Sequence, residues 1–218
     1  MYNIDHFMIA ANDLDRLSDH FSAASGIDPA PGGSHPDLGT HNRLIATTSQ
    51  IYLELIAPNP ALDSSSDLRE GISKIDTSTL HRIIVRESLE RFPAIVEAYR
   101  HAGVEATVRP LSRKAASGEV LRWHLLMPAD GNAYGAFAPL FIDWGEATHP
   151  SSSLPAAPCT VVSCRASHPR PESVRALWKE IRFDLPVEEG RESRIEVLLD
   201  TPKGAVRFVS ARAQEPRL

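Results

Sequence analysis

Ile4-Asp5-His6-Phe7-Met8-Ile9 and Ile51-Tyr52-Leu53-Glu54-Leu55-Ile56 are two apolar strands, each carrying a titratable side chain in its middle. The pattern returns once. His81 lies in Leu80-His81-Arg82-Ile83-Ile84-Val85, and Asp143 in Leu140-Phe141-Ile142-Asp143-Trp144. An ionised carboxylate on a strand that is apolar on both sides is expensive unless it is paired or bound to a metal. Two imidazoles and two carboxylates gathered at one point would suit a divalent cation such as Zn, Mn, Ni or Fe.

Working outward, the stretch 3–11 reads as a strand, and Asn12 or Asp13 caps a helix running to about Ser25, with Leu14, Leu17, Phe21 and Ala24 on one face. Gly26 stops it. The segment from Pro29 to Gly39 is so rich in Gly and Pro that it reads as a long loop. Strands follow over 41–48 and 50–57. A second round opens at Thr79 with a strand over 80–86, a helix over 89–102 and strands over 104–109, 120–127 and 139–144. A Ser/Pro-rich linker, 149–158, leads to a third, shorter round: a strand over 159–166, a helix over 171–181 and strands over 194–199 and 205–211. A unit of one helix followed by mostly antiparallel strands predicts an α+β fold rather than a doubly wound parallel sheet, and no GxGxxG or Walker sequence contradicts that. The expected division is a first domain over 1–148, built of modules 1–75 and 76–148, then a linker and shorter βαββ module over 149–218 packed on the same domain.

The 218 residues suffice for a sizeable hydrophobic core, with 42% hydrophobic and 23% charged residues. A net charge of −5 without a basic stripe argues against nucleic acid as a partner. No apolar run approaches a membrane span. The N-terminus has no charged n-region or cleavage site, so the expected compartment is the cytoplasm. Cys159 and Cys164, five apart on one strand, read as reduced thiols.

At these residues the chain resembles the vicinal oxygen chelate superfamily, and within it the glyoxalase-like domain family. The likeness rests on Asp5-His6-Phe7, on Asn12-Asp13-Leu14-Asp15, on the segment from Gly32 to Asn42 and on Tyr52-Leu53-Glu54-Leu55-Ile56, with Arg122-Trp123-His124 and Phe141-Ile142-Asp143-Trp144 echoing the family's second half. The resemblance implies paired βαβββ modules curled round a shared cleft. It also implies a metal held by a histidine from each module's first strand and a carboxylate from its last, here His6, Glu54, His81 and Asp143. Asp143 stands where metal-using relatives usually carry glutamate. Glu54 or Asp143 would then shuttle a proton in lyase, isomerase or dioxygenase chemistry on a small molecule with neighbouring oxygens. His35, His41 and Asn42 from the Gly-rich segment, with Arg122, His124 and Trp144, are the expected substrate contacts, and a homodimer is the expected assembly.

Plainer readings stand beside these. His6 could be a core histidine, Glu54 a carboxylate bonded to Arg43 or His41, His81 a salt-bridged residue, Asp143 a turn or cap residue, and Arg122 a surface residue. The whole chain could also be a metal-free binding module, with Tyr52, Trp123 and Trp144 lining an apolar cleft. His149 and His168, beside prolines, receive no role.

Overall fold

A computed structural model describes residues 3–64, 66–114 and 120–211. The strands are β1 (Ile4–Ala10), β2 (Ala30–His35), β3 (Thr40–Ala46), β4 (Tyr52–Pro58), β5 (Thr79–Arg86), β6 (Ala106–Lys114), β7 (Val120–Pro128), β8 (Leu140–Asp143), β9 (Thr160–His168), β10 (Val187–Glu189), β11 (Arg194–Thr201) and β12 (Gly204–Val209). The helices are α1 (Leu14–Ser25), α2 (Asp67–Ser73), α3 (Phe92–His101) and α4 (Pro171–Glu180). None among the described residues is long and apolar enough to cross a membrane.

The architecture is α+β. An eight-stranded mixed sheet runs β2-β3-β4-β1-β5-β8-β7-β6, and a second sheet runs β10-β9-β11-β12. At the centre of the large sheet β1 pairs in parallel with β4 and antiparallel with β5. The sheet curls until its edges meet: a Cβ added to Gly33 on β2 would lie 3.0 Å from the side chain of Arg113 on β6. The two faces of each strand then do different work, as the two-residue alternation requires. Phe7 and Ile9 turn outward, with Leu53 and Leu55, into a core shared with Phe21 of α1, Tyr99 of α3 and Val197 of the second sheet. Met8, Ala10, Ile56 and Ile84 turn inward, with Trp123 and Ile142, into a smaller cluster on the concave side.

The helix starts follow their caps. The Asp13 side chain accepts from the Arg16 backbone N–H at the head of α1, and Gly26 closes that helix in the left-handed region at φ 74°. Three segments differ from the sequence-based expectation, one of them the short strand β10, which pairs in parallel with β9. The stretch from Ala30 to His35 is the edge strand β2, not a loop. Its Pro31 is tolerated because an edge strand leaves N–H groups unpaired, and its ladder with β3 breaks between Pro31 and Ser34. Gly32 makes room for a side chain of β3: a Cβ there would lie 2.0 Å from Asn42 Oδ1, and the Gly33 N–H donates to that oxygen at 2.7 Å. Helix α2, capped by Ser66, lies between the strands expected over 50–57 and 80–86, in a stretch to which no element was assigned. Its Leu68 and Ile72 close the bottom of the concave side.

Candidate functional site

The concave side holds a narrow cavity with a polar wall and an apolar wall. His6 from β1, Asn42 from β3, Tyr52 and Glu54 from β4 and His35 from β2 form the polar side. Ile84, Ile142, Trp123 and Leu125 face them from β5, β8 and β7. About 50 Å³ of it can be reached by the centre of a water molecule, room for roughly three to five waters.

The polar wall is a connected network. Glu54 Oε1 accepts from Asn42 Nδ2 at 2.6 Å, and Glu54 Oε2 lies 3.4 Å from His6 Nε2. His35 Nδ1 is 3.0 Å from Thr40 Oγ1, and its Nε2 is 3.4 Å from Asn42 Nδ2. Tyr52 stacks on the His6 ring with centroids 4.4 Å apart. Behind His6 lies Asp5, which is completely buried. The ladder between β1 and β5 is irregular between Ile4 and His6, and a bulge of this kind aims neighbouring side chains to one side. Asp5 Oδ1 thus reaches His6 Nδ1 at 2.8 Å, while Asp5 Oδ2 accepts from Arg86 Nε at 2.9 Å and Trp144 Nε1 at 3.1 Å. His149 Nε2 lies 3.1 Å from the same oxygen and 2.8 Å from Arg86 Nη2.

These contacts decide protonation. Burial alone would discharge His6, but hydrogen bonds to Asp5 and Glu54 and the charge of both carboxylates outweigh it and raise its pKa to about 9. Burial likewise raises Glu54, and His6, His35 and Asn42 overcome it, so that its pKa falls to about 2. Asp5 is lowered too, its burial outweighed by the hydrogen bonds from His149 and His6. His35 is lowered by burial. At neutral pH the wall is therefore an ion-paired His6–Glu54 couple beside a neutral His35.

Of the residues picked out from sequence, His6, Glu54, His35, Asn42 and Trp144 line this cavity. Tyr52 and Trp123 line it as well, while the other candidates do not join them. Arg122 is exposed and alternates with Leu121 and Trp123, so it faces away; His124 shares its side. His41, next to Asn42, likewise turns outward. Asp143 accepts from the backbone N–H groups of Leu89 and Gly145, both at 2.7 Å, which makes it the turn and cap residue of the plainer reading. His81 sits at a second irregularity of β5, where Met8 opposes Arg82 but Ile9 opposes Leu80. Its Nε2 is buried without a hydrogen-bond partner and lies 3.7 Å from Asp130 Oδ1.

The register explains the failure of the second pair. His6 opposes Ile84 across the β1–β5 ladder. Glu54 pairs with Met8, two residues beyond His6, and Ile142 pairs with Arg86, two residues beyond Ile84. The positions that correspond to His6 and Glu54 in the second half are therefore Ile84 and Ile142. His81 and Asp143 miss them by three residues and by one. Among the described residues no group of three or more His, Cys, Asp or Glu is placed to hold a metal ion. His6 and Glu54 are already paired with each other and faced by two isoleucines, and His35 is set against Thr40 and Asn42, so the donors as placed do not fit a divalent cation.

Sequence reading also missed Arg113. It lines the cavity from β6, where the register pairs it with Leu121 and pairs Leu111 with Trp123. The alternation Leu111-Ser112-Arg113 was the available signal, because an inward Leu111 puts Arg113 on the same face.

The glyoxalase-like domain family matches residues 4–182 of the chain. The chain belongs to that family. This glyoxalase-like protein is a member of the vicinal oxygen chelate superfamily. It is similar in fold to a hypothetical protein from Staphylococcus aureus, with a TM-score of 0.62 at 16% identity over 99% of this chain and 86% of that one. Weaker likenesses reach methylmalonyl-CoA epimerase from Mycobacterium tuberculosis, with a TM-score of 0.43 at 21% identity over 64% of this chain and 85% of that one. The Streptomyces coelicolor methylmalonyl-CoA epimerase gives a TM-score of 0.45 at 20% identity over 69% of this chain and 99% of that one. No curated protein matches the glyoxalase-like chain.

Proposed function

We propose that this glyoxalase-like protein binds a small organic molecule in the concave cavity and does so without a resident divalent metal. The observation that carries this reading is the two-sided wall: a hydrogen-bonded polar network on the first half of the sheet against isoleucine, leucine and tryptophan on the second. Such a cavity gives a compact ligand an apolar seat and a few fixed polar partners. The chemistry of the donor set is the reason for leaving metal out, since Ile84 and Ile142 occupy the positions from which a second half would supply ligands.

A catalytic reading has one observation in its favour, a proton donor and acceptor side by side in the cavity. A general acid and base work best with pKa values near the working pH. His6 at about 9 and Glu54 at about 2 are instead locked as an ion pair, so binding is the better supported role.

The test is to fill the apolar wall. Isopentanol, added to the wild-type protein, is expected to shift amide resonances of cavity residues and raise the melting temperature, and Ile142→Phe is expected to abolish both responses. Equal responses in the wild type and in Ile142→Phe would overturn the assignment of the ligand to this cavity.

A further inference from the structure

Among the described residues, the charges around the cavity leave one over. Arg86 is bonded to Asp5, and His6 is set against Glu54, so these four cancel in pairs. His35 is uncharged at neutral pH because burial lowers its pKa. The remaining charge is Arg113, a half-buried guanidinium at the meeting of β2 and β6, which has no hydrogen bond or ion pair with any described residue. Its side chain lies against Gly33, where a Cβ would come 3.0 Å from both its Cδ and its Nη1. A larger residue at position 33 would push the guanidinium off the cavity.

Tyr52 points the same way. Its side chain lines the cavity and is 97% buried, being 3% exposed, yet its hydroxyl has no hydrogen-bond partner among the described residues. Arg113 is near enough for its charge to act on both Tyr52 and His35. A cation and a hydroxyl, neither bonded to another described residue, thus line the same small space, while the Glu54 carboxylate that would repel an anion is already engaged by His6 and Asn42.

We infer that the ligand is a compact monocarboxylate, its carboxylate held by Arg113 and the Tyr52 hydroxyl and its branched apolar body seated against Ile84, Ile142 and Trp123. This rests on the proposal that the concave cavity is the ligand site. A guanidinium offers a carboxylate two parallel N–H donors, which an amide or alcohol of the same shape uses less well. The size of the cavity excludes long chains in this conformation and favours a ligand of a few heavy atoms.

Four probes of one shape separate the possibilities: isovalerate, isovaleramide, isopentanol and isopentylamine, titrated into the full chain by calorimetry and followed by amide shifts. Isovalerate is expected to bind about tenfold to a hundredfold more tightly than isovaleramide. Arg113→Gln is expected to remove most of that preference, Arg113→Lys to keep part of it, Tyr52→Phe to reduce it, and Arg122→Gln to leave it unchanged. Because the preference is a ratio within one protein sample, it stays readable if a variant is less stable. Equal binding of acid and amide by the wild type, or tighter binding of isopentylamine, would overturn the carboxylate assignment while the cavity reading stood. A failure of all four to shift any cavity resonance would overturn the cavity reading itself.

Discussion

The two halves of the eight-stranded sheet are built alike but loaded differently. Each has a first strand at the centre of the sheet, β1 or β5, paired in parallel with a later strand, β4 or β8. The first half puts a histidine and a glutamate on the concave side at the two matched positions. The second half puts isoleucine at both. A single backbone plan thus makes an asymmetric cavity, polar on one wall and apolar on the other. The chemistry of such a site lives in a few positions, which one side chain each can change without altering the register.

The asymmetry can be broken first from behind, at the support of the polar wall. Asp5→Asn would leave His6 and Arg86 as buried or half-buried cations facing an amide. We expect a loss of about 3–5 kcal/mol of stability, the usual consequence of removing one partner from a buried charge network. Chemical denaturation measures it, and a loss below about 1 kcal/mol would show that the network contributes little.

The comparison is sharpened by making the halves alike. Ile84→His combined with Ile142→Glu would place a second histidine and carboxylate opposite His6 and Glu54. The double variant is expected to bind a divalent transition metal and gain about 2.7 kcal/mol when the metal is present at a hundred times its Kd. Neither single variant should reach that gain. Thermal unfolding with and without metal checks this, and a double variant indifferent to metal would speak against the matched register.

A smaller effect follows from protonation. The folded pKa of His6 is raised from 6.5 to about 9, so its contribution is complete below pH 6.5 and is lost as pH climbs to about 9. Glu54 is lowered from 4.5 to about 2, so its contribution is complete above pH 4.5 and is lost toward pH 2. Stability from this pair should be greatest between those limits and decline on the alkaline side by at most about 1.4 kcal/mol per pH unit. Denaturation midpoints across this range in the wild type and in His6→Gln test it. The same alkaline slope in both proteins would contradict the raised pKa.

The smallest change is expected on the outer face of the second half. Arg122→Ala and His124→Ala should alter stability by no more than about 0.5 kcal/mol and leave isovalerate binding as it was. A marked loss of binding in either would mean that β7 presents its other face to the ligand.

The strands and helices were largely legible because alternation and capping mark them: β1, β4, β5 and α1 announce themselves through Phe7, Leu53, Ile83 and Asp13. The Gly/Pro stretch was not, because its regularity is imposed from outside by β3, whose Asn42 needs Gly32 to come close. At the site, His6 and Glu54 were legible as polar residues in apolar strands. His81 and Asp143 satisfied the same rule and failed for a reason that sequence does not carry. A bulge in β5 and a cap at the end of β8 displace them from the cavity, while the matched positions hold isoleucines that look like ordinary core. Arg113 was overlooked in favour of Arg122 although the alternation around Leu111 and Trp123 distinguishes them. Asp5 gave no signal apart from its neighbour, since its partners Arg86, Trp144 and His149 are distant in the chain.

The most direct test of the asymmetric, metal-independent cavity is elemental analysis of the wild-type protein after incubation with Zn, Mn, Ni and Fe and removal of excess by dialysis, with His6→Ala and Glu54→Ala alongside. The two-sided wall predicts no stoichiometric metal in the wild type and no difference from either variant. Close to one equivalent in the wild type, lost in both variants, would contradict it.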